Sequence, residues 1–398
     1  MKRNKYIAFL LILIYSCGNE SSKDNSNEND KVMNNELSKE EIKTQDSIKR
    51  IKLIESHEEK YDKINYKTVI IENKEILNDI LSKYGFSKEN QLNNKVFITL
   101  NRKETKYLRV GDTCVIPDKI VDENKAYSCF PHYYPEASHL EKLIVVSNYY
   151  QSYACYEKGE LVRFAACNTG KEKTPTFPGR YALVWKERKR RSSLDSTWIM
   201  PFTFNFHRYA GNAFHQFEMP GYAASHSCIR QFLNDAEWLY NWGKGVKVEN
   251  GKQLWLSGTP VIIFGVPDYS LKKSGPWKYL KNNKERPFEL DYDPMEVEEA
   301  LIPFVQIPEA VRKWLPQKER YKYAEDTLRA RGVVAEYVSL TPSIDFNKIR
   351  REKKLAKLKK QKQDSLNNII KQSDKSKIDL ELIKENLRGI EKNDTIKK

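Results

Sequence analysis

Residues 215–230 read HQFEMPGYAASHSCIR, and the rest of the chain is read outward from them. His215 stands thirteen positions before Cys228, and His226 stands two before it. A cysteine nucleophile needs a base to take its proton, a partner to orient that base, and backbone N–H groups to hold an oxyanion. In extended backbone, residues two apart point to one side, so His226 and Cys228 lie together if the segment is extended. Other readings fit the residues less well. A zinc site drawn from His215, His226 and Cys228 lacks the ligand spacing of zinc knuckles. A papain-like peptidase places its cysteine before its histidine, whereas here both histidines come first. A merely structural Cys228 leaves the two histidines and Gly221 unexplained. His132 and His207 read as loop or partly buried structural histidines, with His207 the fallback base.

Around this stretch the sequence is β-rich. Residues 143–147, 152–156 and 161–167 form short apolar runs, the last two joined by a Lys158-Gly159 hairpin turn. Glu157 opposite Glu160 sets Cys155 against Val162, which argues against a Cys155–Cys167 bridge. Asn168 to Gly170 and Thr174 to Gly179 punctuate the chain. Further strands follow near Arg180 to Val184, Trp198 to Phe206 and Gly258 to Phe264. One helix follows the key loop, capped by Asn234 or Asp235, with Ala236, Leu239, Tyr240 and Trp242 along it. The expected fold is a mainly β domain with a single helix behind its reactive loop.

With these residues in place, the stretch resembles the active-site signature of the L,D-transpeptidases, the YkuD-like catalytic domain. That signature is a histidine, a spacer with a glycine, then Ser-His-Gly-Cys-Ile/Val-Arg. The resemblance covers about residues 141–267, including the Thr174 to Gly179 turn, the approach through Met200, Pro201 and Phe202, and the Gly258 to Val261 strand. It implies a β-sandwich and a two-step acyl transfer that cross-links peptidoglycan stem peptides through a cysteine thioester. It implies Cys228 as nucleophile, His215 as base and His226, Ser225 and Ser227 as supports. Arg230 and Gly221 would lie near substrate, and no cofactor or metal is implied. Two departures stand out: Ser227 replaces the usual glycine before the cysteine, and the spacer from His215 is short. Serine must then reach a backbone conformation that glycine supplies cheaply. A carboxypeptidase or hydrolase acting on the same peptides, or a lipid-anchored peptidoglycan-binding protein without turnover, are the alternatives.

The chain begins with Lys2, Arg3 and Lys5, then an apolar run from Tyr6 to Tyr15, too short to span a bilayer as a mature helix. Ile14 to Cys17 resembles a bacterial lipobox, so residues 1–16 read as a lipoprotein signal and Cys17 as the lipidated residue. A tether rich in Asn, Ser and Asp follows, which places the mature protein in the cell envelope, facing the periplasm. There, Cys114, Cys129, Cys155, Cys167 and Cys228 remain, an odd number in an oxidising compartment. A Cys114–Cys129 pairing stays open.

The outer segments complete the organisation. Residues 17–65 read as tether and charged spacer. Residues 66–117 read as a small α/β domain, with a strand near Thr68, helices near Ile76 to Leu81 and Lys88 to Asn93, an insert from Phe97 to Lys106, and a closing strand at Leu108 to Pro117. The β-α-α-β order and the Gly111 to Pro117 ending resemble a LysM carbohydrate-binding module; a small spacer domain without sugar affinity is the alternative. Residues 268–345 form an extension with helices near Met295 to Leu301 and Lys318 to Ala330. Residues 346–398 form a basic, solvated helical or disordered tail. The formal charge of +15 would suggest a polyanionic partner. Residues 351–398 alone hold 15 basic against 8 acidic side chains, and the leader holds three more, so no nucleic-acid partner is expected.

Overall fold

The computed structural model describes residues 44–394 except 46, 59, 272, 273, 289, 343 and 344. The leader, Cys17 and the 18–33 tether lie outside the described residues. The chain divides into two units after Leu53. Every strand of the described residues belongs to the second unit, from Ile54 onward.

The N-terminal part of that unit pairs β1 (Tyr66–Ile70) with β2 (Thr113–Pro117) in antiparallel register, Val69 opposite Cys114. Between them lie helices α1 (Lys74–Tyr84) and α2 (Gln91–Asn101). Asn73 caps α1 by accepting the Ile76 N–H at 2.9 Å. The second helix begins later than the expected Lys88 to Asn93 and runs through the first half of the presumed insert. Phe97 is why: it packs into the module's core with Ile80, Tyr84, Leu108 and Cys114.

The main sheet has nine strands. They are β3 (Leu143–Ser147), β4 (Ser152–Glu157), β5 (Glu160–Asn168), β6 (Gly179–Ala182), β7 (Lys186–Arg191), β8 (Ile199–His207), β9 (Asn212–Gln216), β10 (Ile229–Gln231) and, after the hairpin strands β11 (Val248–Glu249) and β12 (Lys252–Gln253), β13 (Pro260–Phe264). Their order is β6-β13-β3-β4-β5-β10-β9-β8-β7. Only β13 with β3 and β10 with β9 are parallel. Lys158 and Gly159 both take positive φ, as the tight β4–β5 hairpin requires. Glu157 does face Glu160, but a bulge after Cys155 shifts the register by one, so Cys155 faces Arg163 and not Val162.

The period-2 alternation of the strands feeds two cores. Ile144, Val146, Tyr153 and Ala165 point inward, where they meet Tyr181 of β6 and Phe204, Phe206 and Phe214 of β8 and β9. Tyr181 lies edge-on to Phe206 at 5.2 Å, so the two ends of the sheet curl over one another. Leu143, Val145, Ala154, Tyr156 and Phe164 point outward, where Val96 and Leu100 of α2 cover them with Tyr127 and Phe130. The expected helix is α3 (Leu233–Trp242), but Phe232 holds the cap position. Asp235 instead turns inward and pairs with Arg163 at 2.6 Å.

The extension belongs to the inner core. Ile302, Ile307, Leu315, Tyr321, Leu328 and Leu340 are buried there, and at roughly 2 kcal/mol each they rival the whole stability of an ordinary domain. Helix α4 (Lys318–Ala330) stands where expected. The helix expected near Met295 to Leu301 is absent: after a single tight turn at Pro294–Glu296 the chain runs along the edge of β6, with Arg180 and Ala300 exchanging backbone hydrogen bonds with their neighbours. The tail is helix α5 (Phe346–Asp394). All five cysteines in the described residues carry free thiols, and Cys114 and Cys129 sit in different cores.

Gly179 is where the edge pairing is tightest. Its φ is +131°, and an added Cβ would fall 2.5 Å from the Ala300 Cα. Gly179→Ala should therefore cost about 2 kcal/mol or more, read as a fall in the urea midpoint. An unchanged midpoint would contradict the pairing of the extension with β6.

Candidate active site

β10 sits between β5 and β9, with Arg230 opposite His215 and Ile229 opposite Phe214. Ile229 and Phe214 point into the inner core, so alternation sends Cys228, Arg230 and His215 to the other face. His215 is a diagonal neighbour of Cys228 across the strands. The Cys228 thiol lies against the Ala213 N–H and 4.0 Å from the Gly211 carbonyl. It is half-buried, and that burial pushes its pKa up.

His215 is 4% exposed. Its Nδ1 lies 3.0 Å from the Gln216 carbonyl, an acceptor, so the neutral ring carries its proton there and Nε2 keeps a lone pair. Burial lowers its pKa to about 4. Phe217 stands edge-on to His215 at 5.8 Å and under the Arg230 guanidinium at 4.8 Å. His226 is oriented from the opposite side, because its Nε2 faces the Lys171 ammonium at 3.0 Å. Burial, then Lys171 and Arg230, hold His226 at about 4. At neutral pH, the site therefore holds a thiol and two uncharged imidazoles.

The loop between these strands is clamped through its backbone. Ser225 donates its hydroxyl to the Cys228 carbonyl, while its own carbonyl accepts from Lys171 N–H at 3.0 Å and Thr174 Oγ1 at 3.2 Å. Ser227 has φ +74°, the left-handed conformation that the missing glycine would adopt freely. Its carbonyl accepts from Thr176 Oγ1 at 3.0 Å, and its hydroxyl reaches Asn212 Oδ1 at 3.4 Å. Gly221, at φ +91°, passes so close to Lys103 that a Cβ would lie 2.9 Å from the lysine Cβ. Its N–H donates to Asn168 Oδ1 at 3.1 Å.

His207 does not join the site. It is buried among Tyr181, Tyr209, Trp255 and Tyr321, and its Nδ1 accepts the Ala210 N–H at 3.0 Å. His132 is likewise internal, with Nε2 at 2.9 Å from the Lys125 carbonyl and Nδ1 at 3.2 Å from Glu58.

Several residues here escaped the sequence reading. Phe217 was within reach, because it lies two positions beyond His215. Lys171 and Asn212 carry no local signal. Trp198 packs tilted against His226 and edge-on against Phe217, at 5.7 and 5.9 Å. Phe346, the first residue of the tail helix, packs on Trp198 at 5.4 Å. Asn347 then receives the Ser196 N–H at 2.9 Å, and Arg350 pairs with Asp195, so the tail's first turn latches loop 192–198 beside the site.

Two outcomes are expected from this geometry. Unfolded histidines take up protons near pH 6.5, whereas His207 and His215 stay neutral in the fold until about pH 4. Their stabilising contribution is full above pH 6.5 and is lost as the pH falls toward 4, roughly 3 kcal/mol apiece. Urea midpoints should drop steeply over that window, and a flat profile would mean the rings are solvated. Ser227→Gly should relieve about 1 kcal/mol of left-handed strain, less the weak bond to Asn212, and raise the melting temperature slightly. A clear loss of stability would show that Ser227 is held by more than its backbone.

Residues 141–263, just under a third of the chain, match the model of the L,D-transpeptidase catalytic domain, YkuD. No curated protein matches the chain. Among solved structures, it is similar to an L,D-transpeptidase from Mycobacterium smegmatis, at 20% identity over 31% of this chain and 59% of that one, TM-score 0.26. It is also similar to one from Stackebrandtia nassauensis, at 17% identity over 49% and 78%, TM-score 0.30. A third, from Xylanimonas cellulosilytica, gives 23% identity over 31% and 60%, TM-score 0.24. The chain spans less than two thirds of the length of the first of these. Residues 141–263 thus carry an L,D-transpeptidase (YkuD) catalytic domain.

Proposed function

We propose that the protein is a peptidoglycan L,D-transpeptidase that works through a thioester on Cys228 and forms cross-links between stem peptides. The observation that carries this reading is the placement of Cys228 and the buried, neutral His215 on one face of adjacent parallel strands. His215 Nε2 takes the thiol proton as sulfur attacks the carbonyl on the L-centre of a diamino acid. Backbone N–H groups of Ser227 and Cys228 hold the oxyanion, and the left-handed turn at Ser227 sets their direction. The terminal D-amino acid then departs with the proton from His215, leaving the thioester. A side-chain amine of a second stem resolves the thioester and forms the cross-link; water in its place gives a carboxypeptidase. His226, held by Lys171, and Ser225, which binds the Cys228 carbonyl, support the loop. Arg230 lies beside the thiol, positioned for a substrate carboxylate.

The same reading extends outward. Residues 1–16 are proposed as a lipoprotein signal and Cys17 as the anchor that holds the enzyme at an envelope membrane. Among the described residues, no helix is long and apolar enough to cross a membrane. The domain boundaries proposed are 66–117, 141–267, 268–345 and 346–398. Ser227 in place of glycine favours the non-catalytic alternative, yet serine here adopts the left-handed backbone that glycine would supply.

Purified protein incubated with muropeptides bearing tetrapeptide stems should yield cross-links between diamino acids, and Cys228→Ala should lower their rate by at least a thousandfold. Cross-links formed equally by Cys228→Ala would refute the nucleophile. Free tripeptide as the sole product would favour the carboxypeptidase.

A further inference from the structure

Beside Arg230 opens a cavity of about 760 Å3, large enough for a peptide of several residues. Its walls come from three parts of the chain: Lys103, Arg109 and Asp112 from the N-terminal module, Glu218 and Arg230 from the catalytic domain, and Lys278 from the extension. Four cations thus face two carboxylates, and both carboxylates are already engaged. Asp112 binds Lys103 Nζ at 2.7 Å and accepts the Arg109 N–H at 2.8 Å. Glu218 is hydrogen-bonded by the Tyr107 hydroxyl. Lys278 is 5% exposed, and its ammonium donates to the Thr113 carbonyl; among the described residues it has no ion-pair partner. The one carboxylate that attracts Lys278, Asp112, is already paired with Lys103, so burying this ammonium is costly and an anion in the cavity would offset that cost.

The walls are fixed to the site. Lys103 forms a backbone bridge with Pro220, and Glu104 N–H donates to the Met219 carbonyl at 2.9 Å while its carboxylate accepts the Met219 N–H at 3.0 Å. Arg230, on β10 and two residues beyond Cys228, lines the cavity and acts electrostatically on the thiol, so the cavity adjoins the site although Cys228 does not line it.

We propose that this cavity is a carboxylate subsite for a peptidoglycan stem peptide, with Lys278 and Arg109 as its anion-binding residues and the N-terminal module as one wall of the substrate groove. The proposal rests on the peptide-substrate reading above, and the carboxylate belongs to either the donor or the acceptor stem. Lys278, pushed down to about 8 by burial, is still charged at neutral pH and available to bind it.

Equilibrium binding to the Cys228→Ala full chain tests this without turnover. The probes are a synthetic tetrapeptide ending in L-lysyl-D-alanine and a tripeptide ending in L-lysine, each as free acid and as C-terminal amide. One of the two should bind at least tenfold tighter as the acid than as the amide; the tetrapeptide would identify the donor and the tripeptide the acceptor. Lys278→Met should remove that preference. Arg109→Gln, at an exposed position whose guanidinium donates to the Lys106 and Leu108 carbonyls, should reduce it at least threefold and serves as the test if Lys278→Met fails to fold. No binding, equal binding of acid and amide for both peptides, or a preference that survives Arg109→Gln would overturn the proposal. If the preference holds but the protein with Cys228 intact forms no thioester, the subsite stands and the acyl-transfer reading falls.

Discussion

β10 is only three residues long, yet it is hydrogen-bonded on both sides, antiparallel to β5 and parallel to β9. Ile229, which opens it, is fully buried in the inner core. A shift of one residue would drive Arg230 into that core and leave Ile229 in the groove, an exchange far more costly than the weak interactions that orient the site. The register of this strand therefore fixes which face carries the thiol. The loop ahead of it must then turn sharply, and the left-handed Ser227, held by Thr176 and Asn212, is how it does so.

The second constraint is the composition of the central strands. Because β3, β4, β5 and β13 are apolar on both faces, they need cover on both, as buried sheets do. The N-terminal module, with Tyr127 and Phe130 of the segment after it, supplies the outer cover, while the extension completes the inner core and shields the edge at β6. Arg102, at the end of α2, marks the joint. Its side chain is buried between Phe164 and Trp277, and its guanidinium donates to the carbonyls of Thr99 and Leu100 at 2.8 Å. Asn168 bonds the Arg102 carbonyl with one end of its amide and the Gly221 N–H with the other. The module is in this way linked, through single side chains, to the loop that carries Cys228.

Much of the sheet was legible because its signals are local: period-2 apolar runs, the Lys158-Gly159 turn and the Gly-Thr-Pro approach to β13. The strain at Ser227 was legible as well, since replacing glycine in a tight loop leaves few backbone options. What failed depended on distant partners. The bulge after Cys155 is a property of the paired strands, and Asp235 turned inward because Arg163 waits there. The stretch from Met295 to Leu301 is not a helix because the edge of β6 offers backbone hydrogen bonds. The tail's docking turn resembled the rest of a charged helix until Phe346 met Trp198. The role of Lys171 beside His226 likewise arises only when the β5–β6 loop folds over the site.

The proposed chemistry centres on a covalent bond between Cys228 and the peptide. Intact-mass measurement after mixing the protein with a tetrapeptide and quenching in acid within seconds tests it most directly, with peptide mapping to locate the adduct. The expected result is a mass increase equal to the peptide minus its terminal D-amino acid, on Cys228, that hydroxylamine removes. An unmodified Cys228 in a protein that nevertheless releases the D-amino acid would contradict it.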